Sequence, residues 1–211
     1  MSDKMQRECL TLGMVQTNCY IVWNRDTKEA IVIDPADHPE RIIDVLNSNQ
    51  LTLKAILLTH AHFDHIGAVG GLKLQYDVPV YSHEAEEEMA KDPSLNLALH
   101  FGVGNLAVKV DQLVRDGEEL EIAGFAIEAI HTPGHTSGGC CYYFAEEGVL
   151  FSGDTLFCGT VGRTDFPTGS YAELKNSVTN KLFTLPDETV VLPGHNEATT
   201  IAYEKANNME V

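Results

Sequence analysis

The stretch Leu57-Leu58-Thr59-His60-Ala61-His62-Phe63-Asp64-His65-Ile66-Gly67 decides how this chain is read. Three imidazoles and a carboxylate follow directly on the apolar run Ala55 to Leu58. His60 and His62 are two positions apart, so an extended strand end projects both from one face, while Asp64 and His65 fall in the turn into the next helix. Two pairs of donors can therefore be aimed at two neighbouring points. Imidazole and carboxylate suit Zn²⁺, Fe²⁺ and Mn²⁺, and the absence of a nearby cysteine argues against a structural zinc knuckle.

Three further segments share one pattern, an apolar run stopped by small residues and then one potential ligand. They are Phe125 to Ile130 before His131-Thr-Pro-Gly-His135, Gly148 to Gly153 before Asp154, and Thr189 to Gly194 before His195. Four strand ends would thus bring donors to one sheet edge, where Gly and Pro turns let the backbone bend beneath a ligand. Seven donors exceed what one tetrahedral ion uses. The expected division places His60, His62 and His135 on one divalent ion and Asp64, His65 and His195 on a second. Asp154 then bridges the pair, at the roughly 3.5 to 4 Å separation of two-metal hydrolases. With a bridging hydroxide such a site keeps about one positive charge, because the ions dominate their surroundings.

Around these segments the chain alternates strands and helices. Glu8 to Leu12, Asn18 to Asn24 and Ala30 to Asp34 read as an antiparallel meander; His38 to Asn49 has helical spacing, and Leu53 to Thr59 reads as a buried strand. A helix over Ile66 to Tyr76, a strand at Val78 to Ser82 and an acidic helix over Glu84 to Lys91 follow, the last with its four glutamates on a solvated face. Pro93 to Val110 reads as a loop or short helix that can wall a substrate. Short strands then recur up to Ser152, with an amphipathic helix over Ser170 to Phe183, a last strand at Thr189 to Leu192 and a polar C-terminal helix. The order suggests two similar halves packed sheet on sheet with helices outside, in a single domain spanning residues 1–211.

Composition bounds the function. The 211 residues are 44 % hydrophobic and 21 % charged, enough apolar surface to fold as a globule. Fourteen basic against 31 acidic residues give a net charge of −17, which repels phosphate backbones and anionic lipid, so neither nucleic acid nor a membrane is an expected partner. No apolar signal-peptide core and no membrane-length run is present, so a cytoplasmic location is expected. Cys9, Cys19, Cys140, Cys141 and Cys158 lack paired-knuckle spacing and read as reduced, packed thiols. His38, His83 and His100 read as surface or hydrogen-bonded histidines, and His131 as a turn residue.

With His60-Ala-His62-Phe-Asp64-His65 followed in order by His135, Asp154 and His195, the chain resembles the metallo-β-lactamase superfamily of metallohydrolases over nearly its whole length. The Gly162-Arg163-Thr164-Asp165-Phe166-Pro167 loop and the ending Pro193-Gly194-His195-Asn-Glu-Ala-Thr199-Thr200 resemble the glyoxalase II (hydroxyacylglutathione hydrolase) group, especially its short bacterial members; persulfide dioxygenases resemble the first of these segments too. The resemblance implies a four-layer αββα sandwich of the α/β (α+β) class. It also implies a two-metal site, probed first with zinc and then with iron or manganese, hydrolysing a small-molecule thioester such as S-lactoylglutathione through a metal-bridging hydroxide. Asp64 would orient that nucleophile, and Arg163 is the candidate for pairing a substrate carboxylate, against the alternative of a salt bridge to Asp165. The alternative activity is a mononuclear iron persulfide dioxygenase on His60, His135 and Asp154; lactone or other ester hydrolysis and a metal-stabilised scaffold rank lower. The group's usual glycine after the last metal histidine is Asn196 here, and the chain stops soon after His195. Glutathione recognition is therefore expected to be weak.

Overall fold

The computed structural model describes residues 4–211. The first sheet runs in the order β1 (Met5–Leu12), β2 (Thr17–Asn24), β3 (Glu29–Ile33), β4 (Thr52–Leu57), β5 (Val80–His83) and β6 (Gln112–Val114). Its first three strands are the antiparallel meander; β3 to β6 are parallel, joined by crossovers that carry α1 (Pro39–Ser48), α2 (Phe63–Ile66), α3 (Val69–Gln75) and α4 (Glu87–Lys91). The second sheet contains β7 (Glu118–Ile122), β8 (Phe125–His131), β9 (Cys140–Phe144) and β10 (Val149–Gly153). A two-stranded hairpin, β11 (Leu156–Phe157) and β12 (Thr160–Val161), leads to α5 (Tyr171–Asn180); β13 (Val190–Pro193) and β14 (Thr199–Thr200) complete the second sheet before α6 (Ile201–Asn207).

Side-chain alternation along single strands explains the layering. In β2, Cys19 and Ile21 pack with Ile42, Leu46 and Leu72 of the outer helices, whereas Tyr20 and Val22 pack with Phe125, Ile127 and Phe151 of the opposite sheet. Strand β10 repeats this in mirror image: Phe151 faces the first sheet and Leu150 meets Leu174 and Val178 of α5. Both sheets are covered on both faces, which is why their strands read as continuous apolar runs. Between the sheets Tyr20, Phe151, Phe144 and Phe125 form an edge-to-face chain with centroids 5.1, 5.4 and 5.5 Å apart, the geometry that aromatic quadrupoles favour. The result is the αββα sandwich expected from the sequence.

Three local expectations need correction. The helix expected over Ile66 to Tyr76 begins only at Val69, after the separate turn Phe63–Ile66: Ala68 N donates to the Pro35 carbonyl at 2.8 Å, and the chain passes Ala36 so closely that a Cβ on Gly67 would lie 2.2 Å from its carbonyl oxygen. In the acidic segment Glu86 is fully buried rather than solvated. Cys19, Cys140 and Cys141 are buried, but Cys9 is exposed and Cys158 half-buried, so only three of the five thiols serve as core residues. Among the described residues no helix is long and apolar enough to cross a membrane.

Candidate metal centre

Parallel pairing sets β10 and β13 side by side with Gly153 opposite Pro193, so Asp154 and His195 leave neighbouring strand ends at one level. The extended segment after β4 supplies His60 and His62, and the single turn of α2 supplies Asp64 and His65. The loop between β8 and β9 supplies His135. All seven residues read from the sequence as donors meet here.

They form two facing groups. His60 Nε2 lies 3.1 Å from His62 Nδ1, which lies 3.0 Å from His135 Nε2. In the second group His65 Nε2 stands 3.4 Å from Asp64 Oδ2 and 3.4 Å from Asp154 Oδ1. His195 Nε2 stands 3.4 Å from Asp64 Oδ2 and 3.5 Å from Asp154 Oδ2. Asp154 Oδ2 is also 3.5 Å from His135 Nε2, so this one carboxylate faces both groups.

The hydrogen bonds behind the rings decide which nitrogens are bare. His135 Nδ1 donates to the Arg163 carbonyl at 2.7 Å, and His65 Nδ1 to Asp34 Oδ2 at 2.9 Å. Thr59 Oγ1 donates to Asp34 Oδ2 at 2.6 Å, which leaves it to accept from His60 Nδ1 at 3.2 Å. Each of these rings therefore presents an unprotonated Nε2 to the cavity when neutral. Three imidazole nitrogens crowded together inside the protein repel one another unless a proton on His62 Nδ1 or a cation joins them; around a tetrahedral ion with bonds of 2.0–2.1 Å they would sit about 3.3 Å apart. In the second group His65 Nε2 and Asp154 Oδ1 are buried with no hydrogen-bond partner. Space is kept in front of them: a Cβ on Gly194 would lie 2.3 Å from Asp154 Oδ1 and 2.7 Å from His65 Cε1. The donor set, its burial and its unpartnered atoms fit divalent cations.

Electrostatics separates the groups. Burial, reinforced by the neighbouring rings, pushes His60 well below the ordinary histidine range and His62 down to about 3, so these two rings are neutral. For His195 burial acts the same way but is outweighed by hydrogen bonds to Asp154 and Asp64, which raise it to about 9. Burial also opposes ionisation of Asp64, yet the facing His65 and the hydrogen bonds from His195 and Thr17 bring it down to about 2. Without metal the second group is thus a set of mutual ion pairs in which protons occupy the place of a cation.

Beneath the donors lies a layer that the sequence did not reveal. Asp34 accepts from Thr59 N at 2.7 Å as well as from Thr59 Oγ1 and His65. Thr17 Oγ1 donates to Asp64 Oδ2 at 2.6 Å. Glu86 accepts from Ala61 N at 3.0 Å and from Thr136 Oγ1 at 3.1 Å, tying together the two segments that carry His60, His62 and His135. Burial raises Glu86 to about 7 against the pull of these bonds and one from Gly138 N. Asn196 sits at φ 64°, a left-handed conformation that asparagine tolerates better than most residues, so it can stand where the resemblance expected glycine.

Other candidates fall elsewhere. The Arg163 fork is occupied by Asp165, with Nε–Oδ1 and Nη2–Oδ2 both 2.7 Å, and its plane lies 3.9 Å over the Phe166 ring. The salt-bridge alternative describes this geometry, and the residue's contact with the centre is its carbonyl on His135. His131 stacks on His83 with centroids 3.8 Å apart and bonds to the Ser137 carbonyl, away from the donors. Cys158 borders a separate cleft with Thr200 and Tyr203.

Residues 12–195 match the family model of the metallo-beta-lactamase superfamily. The chain is 38 % identical over 206 residues to hydroxyacylglutathione hydrolase GloC of Haemophilus influenzae, covering 97 % of each. Among solved structures it is similar to BLEG-1 B3 metallo-beta-lactamase, with TM-score 0.92, 41 % identity and coverage of 97 % of this chain and 98 % of that one. It is likewise similar to TTHA1623 in a di-iron-bound form, with TM-score 0.87, 36 % identity and coverage of 97 % and 100 %.

Proposed function

From membership of the metallo-beta-lactamase superfamily, to which this chain belongs as a metallo-hydrolase, we propose that it hydrolyses a thioester such as S-lactoylglutathione. His60, His62 and His135 would hold one divalent ion, Asp64, His65 and His195 another, and Asp154 both. The observation that carries this reading is Asp154, whose carboxylate faces His65 through one oxygen and His135 and His195 through the other. A single-ion site would leave half of that arrangement without purpose. Zinc, iron and manganese all suit the donors. Ions held there supply Lewis acidity, lowering the pKa of a water and polarising the carbonyl it attacks.

The chain's own groups supply the rest. Thr17 fixes Asp64, and Asp64 orients the attacking water by accepting its hydrogen bond. Phe63, Leu97 and Phe166 wall the cavity and limit access of bulk water. The cysteines are all unbridged, which suits a reducing compartment such as the cytoplasm. Elemental analysis and S-D-lactoylglutathione hydrolysis, followed through loss of the thioester absorbance, test the reading. Close to two transition-metal ions per chain and metal-dependent turnover are expected. One iron per chain, with oxygen uptake on glutathione persulfide and no thioester cleavage, would overturn the reading in favour of the dioxygenase.

A further inference from the structure

The metal cavity, a cleft of about 160 Å³ whose lining includes His62, His135, Asp154 and His195, shares Phe63 and Asp64 as a dividing wall with a second cleft of about the same volume. The second cleft is bordered by Met14, Val103 and Leu106, the metal cavity by Val15, Leu97, Phe101 and Phe166. Ten large apolar side chains are exposed among the described residues, and four of them, Met14, Val15, Phe101 and Val103, border these clefts. Exposed apolar groups are ordinary when scattered singly. These converge on one opening, from a tight turn at one side and an irregular loop at the other. Phe101 stacks on Phe63 at 4.9 Å, and Phe166 closes the wall edge-on to Phe101 at 6.3 Å.

Charge at the opening points the same way. Apart from the histidines of the metal centre, the only basic side chain in either lining is Arg163, whose fork is filled by Asp165. The carboxylates there are Asp37, Asp64 and Asp154. A third, polar cleft beside His195 contains Glu197 and neither lysine nor arginine. The two carboxylates of a glutathione arm would meet no lysine and no unpaired arginine at any of these walls, in a protein of net charge −17.

We propose that these clefts are a specificity subsite for an uncharged apolar arm of the substrate, so that the preferred substrates are thioesters carrying an alkyl or aryl group next to the scissile bond rather than a charged peptide thiol. This rests on the thioester reading above. The arm can belong to the acyl group or to the thiol, since both leave the same carbonyl carbon, and either would gain by leaving water for Phe63, Phe101, Val103 and Met14.

The metal-loaded protein is assayed with two series. One varies the acyl chain from acetyl to octanoyl on N-acetylcysteamine. The other holds the lactoyl group and varies the thiol from N-acetylcysteamine through glutathione to benzyl mercaptan. The expected result is a rise in kcat/KM of about two- to fourfold per added methylene over the first few carbons, the upper figure being full burial at ~0.8 kcal/mol, or a matching preference for benzyl mercaptan over glutathione. A rise in the first series places the acyl group in the clefts; a preference in the second places the thiol there. Phe101→Ser and Val103→Ser should flatten the slope mainly through KM, with metal content and unfolding midpoint retained. Leu74→Ser, on the exposed surface of α3 away from the opening, is the control that keeps it. Thioester turnover that is flat in the first series and shows no preference for benzyl mercaptan over glutathione in the second overturns the apolar subsite and leaves thioester hydrolysis standing. No turnover of any thioester by protein with its full metal content overturns both.

Discussion

His65 and Asp34 touch through a 2.9 Å hydrogen bond, yet they stand in layers with opposite accounts. In the layer facing the cavity His65 Nε2 and Asp154 Oδ1 are buried without a hydrogen-bond partner. One layer down, both oxygens of Asp34 and both of Glu86 are occupied by donors. A buried polar atom left unpaired costs about 1–3 kcal/mol, so the upper layer carries a standing cost that a bound cation removes. The lower layer has no such deficit and instead holds backbone segments in place. The lesson is that unsatisfied atoms mark where a ligand gains its energy, and satisfied ones mark what keeps the geometry.

The sharpest way to break this contrast is to remove one residue from each layer. Asp154→Ala should lose activity by more than the roughly 100-fold that bounds the loss of an outer partner, and elemental analysis should show fewer than two ions; a variant that kept both would erase the distinction. Asp34→Asn, one layer down, should weaken metal affinity by roughly 10- to 100-fold without abolishing binding, measured by competition with a chelator. Glu86→Ala should act mainly on stability, leaving Ala61 N and Thr136 Oγ1 without their acceptor and costing about 1–3 kcal/mol in denaturant unfolding. Part of that loss should return in Glu86→Gln, whose amide oxygen can still accept from Ala61.

The smallest effect lies outside both layers. Burial, then the stacked His131 ring, hold His83 down to about 4, against the opposing pull of Glu84 and Asp116. The unfolded chain therefore takes up a proton at His83 before the folded one does. The resulting contribution to stability is intact above about 6.5 and is lost as pH falls toward about 4. Unfolding midpoints across that window should slope more steeply for the parent protein than for His83→Asn.

How much of this was legible in the sequence follows the same division. Donor residues announce themselves because imidazoles rarely cluster after an apolar strand, and small residues mark each strand end, so the seven donors and the four layers could be read directly. Glu86 could not, since in Glu84-Ala-Glu86-Glu87-Glu88 its burial depends on a long-range contact with Thr136 that no local spacing encodes. Asp34 reads only as the last residue of a strand before Pro35, for the same reason. Its left-handed backbone, φ 48°, is the one local signature, and sequence alone does not display it. The Arg163 fork was ambiguous because its two candidate partners, a ligand and Asp165, are equally compatible with the loop.

Asp154 and His195 hang on strand ends fixed by ladder register, Gly153 opposite Pro193, while the exposed apolar residues of the opening belong to Gly13 to Gln16 and Leu97 to Gly104, segments outside both sheets. A one-residue slip in a strand would turn every side chain to the other face; an insertion in either loop moves no rung. If the proposed subsite holds, the choice of substrate can therefore be retuned by editing two short loops while the strand ends that carry Asp154 and His195 stay as they are.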